Sequence, residues 1–179
     1  MRPRQIDPVK LVISIFTNET NLFPEALSRL EERFGAIDCL SETLDFSSTD
    51  YYEGEFGTGL KRKIASFEEL INIEDLAPIK LFTNALEAEY LKGDNKRRVN
   101  IDPGFMALEK FVLASCKNFS HRIYLKEGVF ADLTMIYEQG RFRSLEWTYP
   151  DYNTDAMKAL LKQIRKRYAF KIGKGLKRG

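Results

Sequence analysis

The 179-residue chain reads as an α+β protein on three observations. Short β-branched runs and helical stripes alternate through the first hundred residues in the order βαββαβ. Alternating apolar residues return between about 121 and 149 as three consecutive strands. A last amphipathic stripe then runs from Met157 to Tyr168. The expected architecture is a ferredoxin-like βαββαβ core with an appended helix, a three-stranded antiparallel meander and a C-terminal helix. One domain is expected over residues 1–170, followed by a basic flexible tail at 171–179.

Residues 10–17 open the fold as a strand, because Leu11, Val12, Ile13, Ile15 and Phe16 form a short β-branched run that ends at Asn18. Phe23, Leu27, Leu30 and Phe34 recur at helical spacing, and Gly35 supplies the stop. Residues 37–46 predict a second strand, and residues 60–67 a third that is half-buried or at an edge. Asp75 and Pro78 mark the start of a second helix with Phe82, Leu86 and Tyr90 on its buried stripe. Residues 97–101 predict the fourth strand. Asp102-Pro103 then reads as the cap of the appended helix, whose buried residues are Ala107, Leu108, Phe111 and Val112. The meander is expected at residues 121–125, 129–137 and 141–149, broken at Glu127-Gly128 and Gln139-Gly140. Asn153 or Thr154 caps the final helix.

Composition excludes several classes. A hydrophobic content of 44% with 12% aromatic residues is incompatible with a disordered or fibrous chain. The apolar stretch from Leu11 to Phe16 is too short for a signal-peptide core or a bilayer span, so a cytoplasmic protein is expected. Cys39, Cys116 and the single His121 cannot assemble a four-ligand metal site among themselves, and no metal is expected; the residues name no cofactor. The net charge of +2 conceals an uneven distribution: residues 1–155 carry −7 and residues 156–179 carry +9.

Three constellations can carry chemistry. The first is the loop around Asp50, Tyr51 and Tyr52, which leads through Gly57 and Gly59 to Lys61, Arg62 and Lys63. Glycines allow close backbone approach and the cations follow at once, a combination suited to a phosphate; a glycine loop with solvated charges is the competing reading. The second lies on the meander. A three-residue turn at 126–128 sets Arg122 opposite Asp132 and Tyr124 opposite Phe130, giving a polar, aromatic face or a structural ion pair. Val129, Ala131, Leu133, Met135 and Tyr137 share the other face. Parity places His121 with Ile123 and Leu125 on a core-facing side. The third is the basic C-terminal helix and tail, from Lys158 to Arg178, which suits nucleic-acid phosphates or simple solvation.

Asp50-Tyr51-Tyr52-Glu53, Gly59-Leu60-Lys61-Arg62, Leu81-Phe82-Thr83-Asn84, Val99-Asn100-Ile101-Asp102-Pro103-Gly104, His121-Arg122-Ile123-Tyr124-Leu125 and Trp147-Thr148-Tyr149-Pro150-Asp151-Tyr152 occur in that order. Together they resemble the prokaryotic family known as Domain of Unknown Function 4416, over about residues 9–168. Members of that family are sometimes labelled GTP-binding, which implies a nucleotide. The chain has neither a Walker A loop nor an Asn-Lys-x-Asp guanine reader, so it lacks the motifs of a conventional GTPase. The resemblance implies that these strings form one site. The expected ligand is a phosphorylated or nucleotide-like small molecule held by Tyr51, Tyr52, Lys61, Arg62, Asn84, Asn100, Arg122, Tyr124, Trp147 and Asp151. Asp50, Asp102, His121 and Asp132 are the acid/base candidates if there is turnover. The alternative is a non-enzymatic module that binds RNA or another protein through the basic C-terminus.

Overall fold

The computed structural model describes residues 6–46, 56–91, 93 and 96–174. Its centre is a nine-stranded sheet whose paired strands are all antiparallel. The strands are β1 (Val9–Thr17), β2 (Ile37–Leu40), β3 (Leu44–Asp45), β4 (Lys61–Ile71), β5 (Asn100–Met106), β6 (Lys110–Ser115), β7 (Arg122–Lys126), β8 (Val129–Glu138) and β9 (Arg141–Ser144). The helices are α1 (Phe23–Phe34), α2 (Leu76–Glu89) and α3 (Asp155–Lys171). Strand order is β2-β4-β1-β5-β6-β8-β7, with β3 on β4 and β9 on β8.

β1 is buried along its whole length because it is covered on both faces. Leu11, Ile13 and Ile15 meet Phe23 and Leu30 of α1 and Ile79 and Leu86 of α2. Val12 faces the other way, in the cluster formed with Met157, Leu161 and Ile164 of α3. An unbroken apolar run is what two-sided burial demands of a strand.

Several expectations change. The strand at 60–67 is no edge: β4 extends to Ile71 and lies between β1 and β2. The second strand is split into β2 and β3. Asp75 does not cap α2 with its side chain; its carboxylate accepts from the Asn72 amide at 3.0 Å instead. Thr154 does cap α3, accepting from the Met157 amide at 3.2 Å.

The largest change concerns the helix expected after Asp102-Pro103. Residues 100–115 form a β-hairpin, β5 and β6, with Phe105 opposite Val112 and Met106 opposite Phe111. The apolar residues of this short run fit either period, and the sheet decides: Phe111 and Leu113 enter the α3-side cluster whereas Phe105 and Val112 enter the α2-side cluster. Pro103 is tolerated because β6 pairing begins only at Gly104.

The meander joins the same sheet through β6 and β8. Arg122 pairs with Asp132 and Tyr124 with Phe130. The turn itself has only two residues, Glu127 and Gly128, both at positive φ (53° and 76°). A bulge between Tyr124 and Lys126 takes up the extra residue and restores the pairing of a three-residue turn. A second irregularity, between Phe111 and Val112, leaves Thr134 as the extra residue of β8. It sends Val129, Ala131 and Leu133 to the α2 side and Met135 and Tyr137 to the α3 side, so these five residues do not share one face. His121 precedes β7, and the face that it was expected to share is not core: Ile123 is 71% exposed. The third meander strand stops at Ser144, and residues 145–154 turn into α3.

Candidate functional site

β5 and β6 part company after the Gly104–Leu113 pair, leaving residues 100–103 of β5 and 114–115 of β6 as the arms of a fork. Gly104 stands at its apex because the strands approach so closely there: a Cβ on it would lie 2.4 Å from the Val112 carbonyl oxygen. A cavity of about 300 Å³ fills the fork.

One wall is an ionic network between α2 and β5. Lys80 Nζ donates to Asp102 Oδ1 at 2.9 Å and to the Ile101 carbonyl at 3.2 Å. Asn100 Nδ2 donates to the other Asp102 oxygen at 2.6 Å. Glu87 accepts from the Ile101 amide at 2.7 Å and from Arg97 at 3.0 Å, and Arg97 also reaches Asn100 Oδ1 at 2.8 Å. Burial works to raise the Asp102 carboxyl, yet Lys80, Asn100 and Arg62 outweigh it and hold the group below its ordinary value. Burial also works to lower Lys80, but Asp102 and Glu87 more than compensate and the ammonium is raised. Glu87 has no such surplus: burial pushes it up despite Lys80.

The opposite wall comes from the meander. Arg122 Nε donates to Asp132 Oδ2 at 2.8 Å, Nη1 to the Lys117 carbonyl at 3.0 Å and Nη2 to the Tyr149 hydroxyl at 2.8 Å. Asp132 is also 3.3 Å from His121 Nε2, and the imidazole stacks on Trp147 with ring centroids 4.9 Å apart. Asn84 closes the cavity near Cys116, its amide nitrogen 3.2 Å from the sulfur.

The sequence candidates therefore divide. Asn84, Asn100, Asp102, Arg122 and Asp132 line one cavity. His121 and Trp147 stand behind Asp132 rather than in the lining, with the indole N–H donating to the Leu133 carbonyl at 2.8 Å. Lys61 points elsewhere and pairs with Asp45. Arg62 is buried beside Asp151 and lies 4.0 Å from the Phe46 ring centroid, with Phe16 and Tyr152 also in reach. Tyr124 is 60% exposed and meets Phe130 edge-on. Asp50, Tyr51 and Tyr52 lie outside the described residues.

Sequence reading missed Lys80, Glu87, Arg97, Ser115, Cys116 and Lys117 as lining residues, whereas Tyr149 lies in the Trp147–Tyr152 string that the resemblance assigned to the site. A signal existed for two of them. Lys80 and Glu87, seven residues apart, fall on the same helical stripe as Thr83, and all three are buried. Opposite charges two turns apart on an otherwise buried face announce a polar partner beneath the helix.

Fold and site thus define an α+β protein built on one large antiparallel sheet, with a charged cavity where two of its strands diverge. The chain belongs to the family described as a domain of unknown function, DUF4416, whose model matches residues 7–168. No curated protein and no solved structure matches it. Among the described residues, no helix is long and apolar enough to cross a membrane.

Proposed function

We propose that the fork binds a small anionic molecule, a phosphorylated metabolite in the first instance. One observation carries this reading: Arg122 and Lys80 line the cavity from opposite walls, each with a side chain only 7% exposed, and neither has all its donors engaged. Three of the five Arg122 N–H groups and two of the three on Lys80 have protein partners. A guanidinium fixed by a carboxylate, a carbonyl and a phenol is a preorganised anion receptor. The order β2-β4-β1-β5, with α1 and α2 on one face, supports reading the N-terminal half as a ferredoxin-like core to which the meander adds the second wall.

The basic C-terminus supports the RNA or protein-binding alternative less well. Arg165 is spent on the Leu108 carbonyl, Lys171 on the Glu68 carbonyl and Lys174 on Asp7.

Thermal-shift measurements on the full chain with inorganic phosphate and phosphorylated metabolites test the proposal. A ligand at a hundred times its Kd stabilises by about 2.7 kcal/mol, which for this size raises Tm by about 5–11 °C. Arg122→Ala and Arg122→Lys should both lose most of that rise. Cys116, which is exposed, gives an independent readout in a Cys39→Ser background: bound ligand should slow its alkylation. If no anion shifts Tm or protects Cys116, the fork is not an anion site.

A further inference from the structure

We infer that the ligand is a phosphorylated sugar or polyol carrying a single phosphate, rather than a nucleotide; this rests on the anion-site reading above and narrows it. The first argument is charge. Among the described residues, the cationic side chains lining the fork number four and the carboxylates three, a net of +1 with all ionised. One phosphate monoester carries about −1.5 to −2 at neutral pH and suits that balance. A triphosphate would crowd its further charges against Glu87 and Asp102.

The second argument is surface chemistry. A purine base needs an apolar or aromatic slot. Among the described residues, Tyr149 is the one aromatic side chain lining the fork, and its hydroxyl is tethered by Arg122. Trp147 is stacked on His121 and bound to a backbone carbonyl instead. What the cavity offers is hydrogen bonding. Asn84 has its carbonyl oxygen open, because only its amide nitrogen is engaged, and Ser115 uses its oxygen only as an acceptor from the Lys117 amide. An acceptor, a hydroxyl and three carboxylates around a cation pair are what a chain of ligand hydroxyl groups requires.

The third argument is size. About 300 Å³ is the lower limit for small-molecule sites and accommodates a pentose phosphate more readily than a nucleoside triphosphate.

Isothermal titration of the full chain with ribose 5-phosphate, inorganic phosphate, guanosine and GTP decides the matter. Ribose 5-phosphate should bind at least tenfold more tightly than inorganic phosphate and than GTP, and guanosine should not bind. Asn84→Ala should weaken binding of ribose 5-phosphate more than that of inorganic phosphate and so remove most of the tenfold advantage of the sugar phosphate; Asn84 is on a helix, where alanine is well tolerated. Tighter binding of GTP or guanosine overturns this inference and leaves the anion site standing. Equal affinity for ribose 5-phosphate and inorganic phosphate, insensitive to Asn84→Ala, overturns it as well. Failure of every phosphorylated probe overturns both.

Discussion

Replacing Gly104 by alanine should damage the apex of the fork, and the structure sets the scale of the damage. Gly104 pairs with Val12 on one side and Leu113 on the other. The added Cβ would lie 2.4 Å from the Val112 carbonyl oxygen, 2.9 Å from Leu113 Cδ2 and 3.2 Å from Leu113 Cα. The leucine methyl can rotate away, but the carbonyl belongs to the β5–β6 ladder and must retreat by about 1 Å to reach ordinary contact. Overpacking of this kind costs about 1–3 kcal/mol, and a backbone obstacle puts the change at the upper end. For a chain of this length that is a fall in Tm of about 4–12 °C. Urea titration and differential scanning fluorimetry measure it, with Gly93→Ala as the control, since nothing lies within 4 Å of a Cβ there. The fork is the part that yields, so alkylation of Cys116 should also accelerate. A Gly104→Ala protein that melts within 2 °C of its Gly93→Ala counterpart, with unchanged Cys116 reactivity, would refute the argument that close strand approach shapes the cavity.

Two further predictions concern buried charges away from the fork. Lys10 is fully buried and donates to Asp38 at 2.5 Å and to the Phe67 carbonyl at 2.7 Å. Lys10→Met should cost about 3–5 kcal/mol by stranding Asp38, and Lys10→Met with Asp38→Asn should recover part of the loss. Burial works to raise the Asp38 carboxyl, but hydrogen bonds from Lys10 and Ser66 win and hold it below its ordinary 3.8. Its stabilising effect is therefore complete above that value and lost as pH falls through the folded pKa; acid titration of stability should be shallower in the Lys10→Met protein. Arg62→Leu should likewise cost about 3–5 kcal/mol by stranding Asp151, while Arg62→Lys should restore less than half, because an ammonium cannot stack on Phe46 as a guanidinium does. Chemical denaturation of the single and double variants checks both, and Lys10→Met or Arg62→Leu proteins as stable as the parent would show these pairs to be incidental.

Legibility in the sequence followed the number of structures each pattern permits. β1, α1 and α3 were readable because an unbroken β-branched run and two long stripes of period 3.6 each admit one solution. The pairing of Arg122 with Asp132 was reached from period two together with an assumed three-residue turn; the actual route to it, a two-residue turn with a compensating bulge, was not readable. The hairpin at 100–115 was not readable. Asp-Pro before a short apolar run satisfies helix-start chemistry locally, and what overrides it is pairing with β1, ninety residues earlier in the chain. That single misreading hid the fork, because a helix at 103–112 leaves no β6 to diverge from β5. Part of the site was therefore present as residue names, Asn84, Asn100, Asp102, Arg122 and Asp132, without the geometry that makes them neighbours.

The buried cations separate by what surrounds them rather than by how deep they lie. Lys10 and Arg62 are 0% and 5% exposed, and neither lines the fork. Arg62 is enclosed by Phe16, Phe46 and Tyr152, and Lys10 by the Phe67 carbonyl and Asp38. Such pairs tie separate elements together but gain little over apolar residues of equal volume. Lys80 and Arg122 are nearly as deeply buried, yet each borders a cavity and retains unused donors. Taking a charge out of water and leaving part of its hydrogen-bonding capacity unmet is costly in the empty protein. An anion in the fork would satisfy those donors and offset that cost, whereas Arg62, whose buried Nε also has no partner, is enclosed by Phe16, Phe46 and Tyr152; the functional reading therefore rests on the cations whose unused donors border a cavity and not on those that the fold buries most completely.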